Sequence, residues 1–181
     1  MSKIEIIYRS LEVKPVEKVR RVRMIIAIMI IICTSTGVYA RKPPGFSLKT
    51  LDGDTYTLAD DLGESVILLE FWGLCCRARL SEMKALENLY VQYGDKGLKV
   101  YAVNIDDASA LSKVRPALKR YGYSFPVLLD PAQEVFRKYS PAGKKPYTVI
   151  IGKNGEIVEA IPGEDPDARN RVDQCIQNLM N

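Results

Sequence analysis

Histidine is absent from the 181 residues. That absence removes imidazole metal sites, Ser-His-Asp triads and Cys-His nucleophile pairs before any motif is weighed. Chemistry in this chain has to rest on thiols and carboxylates. Cysteine is scarce as well, with four residues at positions 33, 75, 76 and 175. Cys33 falls in an N-terminal apolar run, and the other three are an odd number that no complete set of internal disulfides can satisfy. At least one thiol is free, capped or intermolecular. There is no internal repeat and no low-complexity linker. The longest apolar run, Met24 to Cys33, has ten residues, well short of the roughly 20 that span a bilayer comfortably.

What is present can build one domain and a short appendage. The composition is 47% hydrophobic, with ten Tyr, four Phe and one Trp to fill a core. The formal charge of +4 is concentrated at the start: residues 1–40 hold seven Lys/Arg against three Asp/Glu, which leaves 19 of each sign in the rest. A neutral folded part argues against nucleic acid as a ligand.

Residues 1–40 have the layout of an address. Lys18, Arg20, Arg21 and Arg23 precede the apolar run MIIAIMIII, and Val38-Tyr39-Ala40 has the small-residue pattern of a signal-peptidase site. Export with cleavage after Ala40 is the expectation, an uncleaved signal anchor the alternative. Lipidation at Cys33 is disfavoured by the bulky Ile32 before it. A buried core helix fits less well, because apolar residues fill every face of the run and basic residues cluster on one side. The n-region is long enough that a later start codon is conceivable.

From Phe46, FSLKTLDGDTYTL alternates about Asp52-Gly53 as a hairpin does. VILLEFW, residues 66–72, is apolar except for Glu70, the pattern of a central strand covered on both faces. Leu80, Met83, Leu86, Tyr90 and Tyr93 then recur at helical spacing, with Gly94 as the expected stop before the strand LKVYAVNI. Strand, helix, strand makes a parallel βαβ unit. Leu111, Val114, Leu118 and Tyr121 mark a second helix ended by Gly122, with Pro116 inside it. FPVLLD is a short strand, and PYTVIIGKNGEIVEAI reads as two strands about Lys153-Asn154-Gly155. Asp165-Pro166 caps a last helix carrying Ala168, Val172, Cys175, Ile176 and Leu179. Cys175 lies on its apolar stripe, where a lone cysteine acts as a small hydrophobe.

The order ββ-βαβα-β-helix-ββα resembles an α/β thioredoxin-like fold, a central mixed sheet flanked by helices, with an N-terminal β-hairpin extension. FWGLCCRARLSEMKAL resembles the FWATWCxxCRxEMPxL signature of the exported TlpA/ResA-like thiol:disulfide oxidoreductases, and KKPYTVIIGKNGEIV resembles their cis-proline strand and hairpin. The likeness runs from about Phe46 to Ile161, so residues 41–181 are expected to form the thioredoxin-like domain. It implies an extracytoplasmic, periplasmic location, a disulfide- or thiol-bearing protein substrate and an external thiol reductant. It implies no cofactor and no metal. A peroxiredoxin-type reading lacks the Pro-x-x-x-Thr-x-x-Cys signature, and a copper carrier would need C-x-x-x-C and histidine.

In that register Cys76 takes the place of the attacking cysteine and Arg79 that of the second. A resolving thiol belongs at i+3 because that spacing puts it on the same helix face. Here the motif is C-R-A-R. Where a strand hands over to a helix, free N–H groups and the helix dipole favour a thiolate. Arg77 and Arg79 add positive charge, and Arg79 one turn away would lower the pKa of Cys76 below the free value of about 8.5. The blander alternative is a decayed motif with Arg79 in solvent. Cys75 stands where the family has tryptophan, and is a small filler, a substitute resolving thiol, or a partner in a strained vicinal disulfide. Pro146 after Lys145 matches the cis-proline that presents backbone groups to an extended substrate, the alternative being a trans proline at a strand start. Trp72 joins them on the substrate-binding side. Glu70 aligns with the buried acid of thioredoxins and Glu82 with the helix glutamate of ResA-like members, either able to relay protons, although Glu82 reads equally as a solvated residue. Two functions remain: exchange through the single thiol of Cys76, or a redox-inactive scaffold that keeps the Pro146 groove.

Overall fold

The computed structural model describes residues 41–74 and 83–181. The chain divides into Met1–Tyr39 and Ala40–Asn181. The expected signal or anchor over residues 1–40 lies outside the described residues, as do Cys33, Cys75, Cys76, Arg77, Arg79 and Glu82.

The first hairpin forms as the alternation demands. Strand β1 (Ser47–Thr50) pairs antiparallel with β2 (Thr55–Thr57), Leu48 opposite Tyr56. Gly53 in the turn has φ 100°, a left-handed conformation open to a residue without Cβ. Strand β3 (Val66–Trp72) is buried at all seven positions. It has a neighbour on each edge: β4 (Leu98–Asn104), parallel, and β6 (Tyr147–Ile151), antiparallel. Helix α1 (Lys84–Tyr93) joins β3 to β4 and buries Leu86, Leu89 and Tyr93. Gly94 caps the helix where the sequence places the stop. It stays right-handed at φ −55°, its N–H still reaching Tyr90 O, and a 3-10 turn runs on through Gly94–Lys96 to Gly97 at φ 99°. The residue that adopts the left-handed region turns the chain, and here that is the second glycine.

Helix α2 (Leu111–Tyr121) passes through Pro116 and ends at Gly122, φ 69°, whose N–H bonds Leu118 O and Lys119 O. Strand β5 (Val127–Leu129) lies parallel to β4. Helix α3 (Glu134–Tyr139) is capped by the buried Asp130, whose oxygens accept from Glu134 N at 3.0 Å and Phe136 N at 2.8 Å. Strand β7 (Ile157–Pro162) closes an antiparallel hairpin with β6 about Gly155. Asp165 organises the turn ahead of helix α4 (Ala168–Met180), accepting from Asp167 N at 2.9 Å, and the helix itself starts after it.

The seven strands form one mixed sheet in the order β2-β1-β5-β4-β3-β6-β7. The opening hairpin is part of this sheet, because β1 pairs antiparallel with β5 through Lys49–Leu129 and Thr50–Leu128. Alternation splits β3 between two cores. Val66, Leu68 and Trp72 join Leu86, Leu89, Val172 and Ile176, whereas Ile67, Leu69 and Phe71 join Phe46, Leu58, Phe136 and Tyr139. Burying each of these large apolar side chains contributes roughly 1.5–3 kcal/mol. No helix among the described residues is long and apolar enough to cross a membrane.

Candidate active site

The carboxyl end of β3 is where the described candidate residues gather. Glu70 is 1% exposed, the one charged residue in a strand otherwise apolar. Strand pairing places Thr148 of β6 directly opposite it, and Thr148 Oγ1 donates to Glu70 Oε2 at 2.5 Å. A carboxylate taken out of water needs such donors, since leaving it unpaired costs several kcal/mol. Glu70 and Thr148 line a cavity of about 120 Å³ whose apolar walls are Met83, Leu86 and Leu89 on the α1 side and Val172 on α4, with Arg169 and Asp173 of α4 also lining it.

Pro146 begins at the next register level, with Tyr147 opposite Phe71. The Lys145–Pro146 peptide is cis. Lys145 is exposed and Pro146 partly so. The turn after β7 supports this loop: Gly163 N donates to Pro146 O at 2.8 Å. A Cβ on Gly163 would overlap Pro146 Cγ, so only glycine lets the two backbones approach this closely. Lys144 adds an exposed ion pair to Glu164 at 3.5 Å. Arg171 of α4 fastens the same turn through Asp165 at 2.5 Å and through Glu159. The paired guanidinium and the Asp167 N–H hold the Asp165 carboxyl below its usual range, the N–H being the larger influence.

On the other side of the site, Asp106 is a residue that the sequence alone did not single out. Leu74, the last described residue before Cys75, donates its N–H to both oxygens of Asp106, at 3.1 and 2.8 Å. Asn104 Nδ2 donates to Asp106 Oδ2 at 2.7 Å. The available signal was position: polar residues directly after an apolar parallel strand stand at its carboxyl end, where α/β sheets carry their sites.

Trp72 is 1% exposed, and its indole Nε1 has no hydrogen-bond partner among the described residues. The indole therefore lies in the core layer beneath the end of the sheet. Cys175 is half-buried on α4 and packs against the same layer; burial and, less, the charge of Glu159 push its thiol up from the ordinary value. The structure thus brings together Glu70, Trp72 and the Pro146 loop. Among the described residues no three His, Cys, Asp or Glu side chains gather as a metal-ligand set.

A model of the AhpC/TSA family matches residues 40–160. The chain is 33% identical over 124 residues to the thiol-disulfide oxidoreductase ResA of Bacillus thuringiensis (strain Al Hakam), covering 68% of this chain and 69% of that protein. It is 34% identical over 120 residues to ResA of Geobacillus kaustophilus (strain HTA426), covering 66% and 67%. Among solved structures, a candidate thiol:disulfide interchange protein DsbE from Chlorobium tepidum superposes with a TM-score of 0.69 at 26% identity, over 78% of this chain and 97% of that one. The pneumococcal exposed lipoprotein thioredoxin Etrx1 from Streptococcus pneumoniae gives 0.62 at 25% identity, over 75% and 100%.

Proposed function

The chain belongs to the AhpC/TSA family in its TlpA/ResA-like, thioredoxin-fold form, and from that premise we propose that it is an extracytoplasmic thiol:disulfide exchange protein working through the single thiol of Cys76. Thiol-disulfide oxidoreductase chemistry is the family's, and its substrates are protein thiols and disulfides. The finer reading rests on one observation above the others. The cis Lys145–Pro146 peptide and the buried Glu70–Thr148 pair stand together at the end of β3, and the chain that leaves this end reaches Cys76 four residues after Trp72.

In this reading the thiolate of Cys76 attacks one sulfur of a substrate disulfide. The S–S bond breaks, a mixed disulfide forms on Cys76, and the departing sulfur takes a proton. Glu70 and Glu82 are the carboxyls that handle that proton, and the exposed backbone at Lys145, just ahead of the doubly paired β6, presents its polar groups to the substrate segment. Arg79 stabilises the thiolate but cannot resolve the mixed disulfide. Release therefore needs a second thiolate from Cys75, from the substrate or from an external reductant, which becomes oxidised as the substrate becomes reduced. Residues 1–40 supply the export signal, cleaved after Ala40 or kept as an anchor. The exposed-lipoprotein description of the pneumococcal neighbour supports an outward-facing location.

The test uses the full chain with oxidised glutathione and with insulin. A glutathione adduct at Cys76, absent in Cys76→Ser, and a Cys76 pKa below the free value of about 8.5 are expected. The absence of both turnover and an adduct at Cys76 removes the reading.

A further inference from the structure

The carboxylate of Asp106 is spent almost entirely on the segment that leads into the cysteine pair. Both its oxygens face the N–H of Leu74, at 3.1 and 2.8 Å, and Asn104 Nδ2 donates to Oδ2 at 2.7 Å. The base of this clamp is itself held from three sides. Ile105 N donates to Trp72 O at 2.9 Å, Asp130 N to Asn104 O at 2.9 Å, and Gln133 Nε2 to Ile105 O at 2.9 Å. Gly73 completes it by omission: a Cβ there would stand 2.9 Å from Asp106 Oδ1, closer than real Cβ atoms come to an oxygen. A hydrogen bond to an ionised acceptor is roughly twice as strong as a neutral one, so Leu74 is fastened where an ordinary loop peptide would be solvated.

We propose that Asp106 is a positioning residue for the exchange reaction: by gripping the peptide of Leu74 against Gly73 it sets where the chain leaves β3 and so where Cys76, two residues on, is presented. This rests on the thiol-exchange reading above. A displacement of about 1 Å at a reacting group is enough to lower a rate by up to about a hundredfold, which makes a remote anchor of this kind visible in kinetics.

Alkylation of Cys76 by iodoacetamide across pH 6–10, in the purified full chain and followed by peptide mass mapping, reads that presentation without needing turnover. Asp106→Ala is expected to slow alkylation at Cys76 about tenfold at pH 7, the effect of moving the thiol out of the surroundings that keep it ionised, while Cys175, on α4, alkylates at its wild-type rate. Asp106→Asn should fall between Asp106→Ala and wild type, because its amide oxygen can replace Oδ2 while its NH2, in the place of Oδ1, meets the Leu74 N–H donor at about 3 Å. Gly73→Ala crowds Asp106 Oδ1 at 2.9 Å and leaves Oδ2 at 3.7 Å, so it should slow alkylation in the same direction by a smaller factor, and it carries the test if Asp106→Ala does not fold. An unchanged rate and pH profile at Cys76 overturns the proposal. So does a parallel change at Cys76 and Cys175, which means general loosening. Failure of the wild type to form a glutathione adduct sinks the exchange reading instead, and leaves the alkylation comparison readable.

Discussion

Strand β3 shows one face to each of two interiors, and the two are built differently. Ile67, Leu69 and Phe71 enter a layer of aromatic packing, with Phe71 5.6 Å from Phe136 and 5.4 Å from Tyr139, ring centre to ring centre. Polar atoms stay at the rim of that layer, where Tyr139 donates to Pro44 O at 2.7 Å and Tyr101 and Tyr56 both donate to Asp61. Val66, Leu68, Glu70 and Trp72 enter a layer that contains a carboxylate, a threonine, an indole N–H and a cavity of about 120 Å³. The first face holds the hairpin and α3 onto the sheet. The second gives up packing density to keep polar groups beneath the end where Pro146 and Asp106 stand. Stability and chemistry are thus divided by the pleat of one strand.

The sharpest way to break this division is Phe71→Ala, which empties the aromatic layer. A loss of about 3–5 kcal/mol in unfolding free energy is expected from urea titration, with thiol reactivity per folded molecule kept. A loss under about 1 kcal/mol would mean that the aromatic face does not bear the fold. A smaller effect is expected on the other face. Thr148→Val takes one donor from a buried carboxylate and should cost about 1–3 kcal/mol. The double variant Glu70→Leu with Thr148→Val removes both polar partners, and should be at least as stable as Thr148→Val alone while exchanging disulfides more slowly. If the double variant exchanges at the wild-type rate, Glu70 belongs to the fold and not to the site.

The smallest effect appears only in alkali. Burial is the first cause pushing the hydroxyls of Tyr56, Tyr101 and Tyr139 above the ordinary tyrosine range, and Asp61 adds to it for the first two. A group with a raised folded pKa holds its proton more tightly folded than unfolded. The stability it lends is therefore complete below the unfolded value of about 10 and declines as pH rises beyond it. The urea midpoint should be flat from pH 7 to 9 and fall above pH 10, together with the latest part of the rise in tyrosinate absorbance. Ionisation of Tyr56, Tyr101 or Tyr139 below pH 10 without loss of stability, read as the tyrosinate signal lost when each is changed to Phe, would show that the aromatic rim is open to water.

Much of this was legible in the residues. Alternation about Asp52-Gly53 marked the first hairpin, the unbroken run VILLEFW marked the central strand, and a single acid within it marked Glu70 as buried. Gly122 ended its helix where expected. So did Gly94, although the left-handed turn that follows the helix falls at Gly97. The N-terminal hairpin extension also forms an edge of the main sheet, a pairing of β1 with β5 that nothing local records. Nothing local singles out Asp106, whose grip on Leu74 joins it to a peptide N–H 32 residues earlier in the chain.

What the sequence determined by itself is the set of elements and their faces, because periodicity and left-handed glycines act over neighbours two to four residues apart. What only the tertiary structure decided is the company each side chain keeps. Thr148 meets Glu70 across 78 residues, Gly163 meets Pro146, and Leu74 meets Asp106, and each of these depends on strand register and backbone approach, which no local pattern encodes.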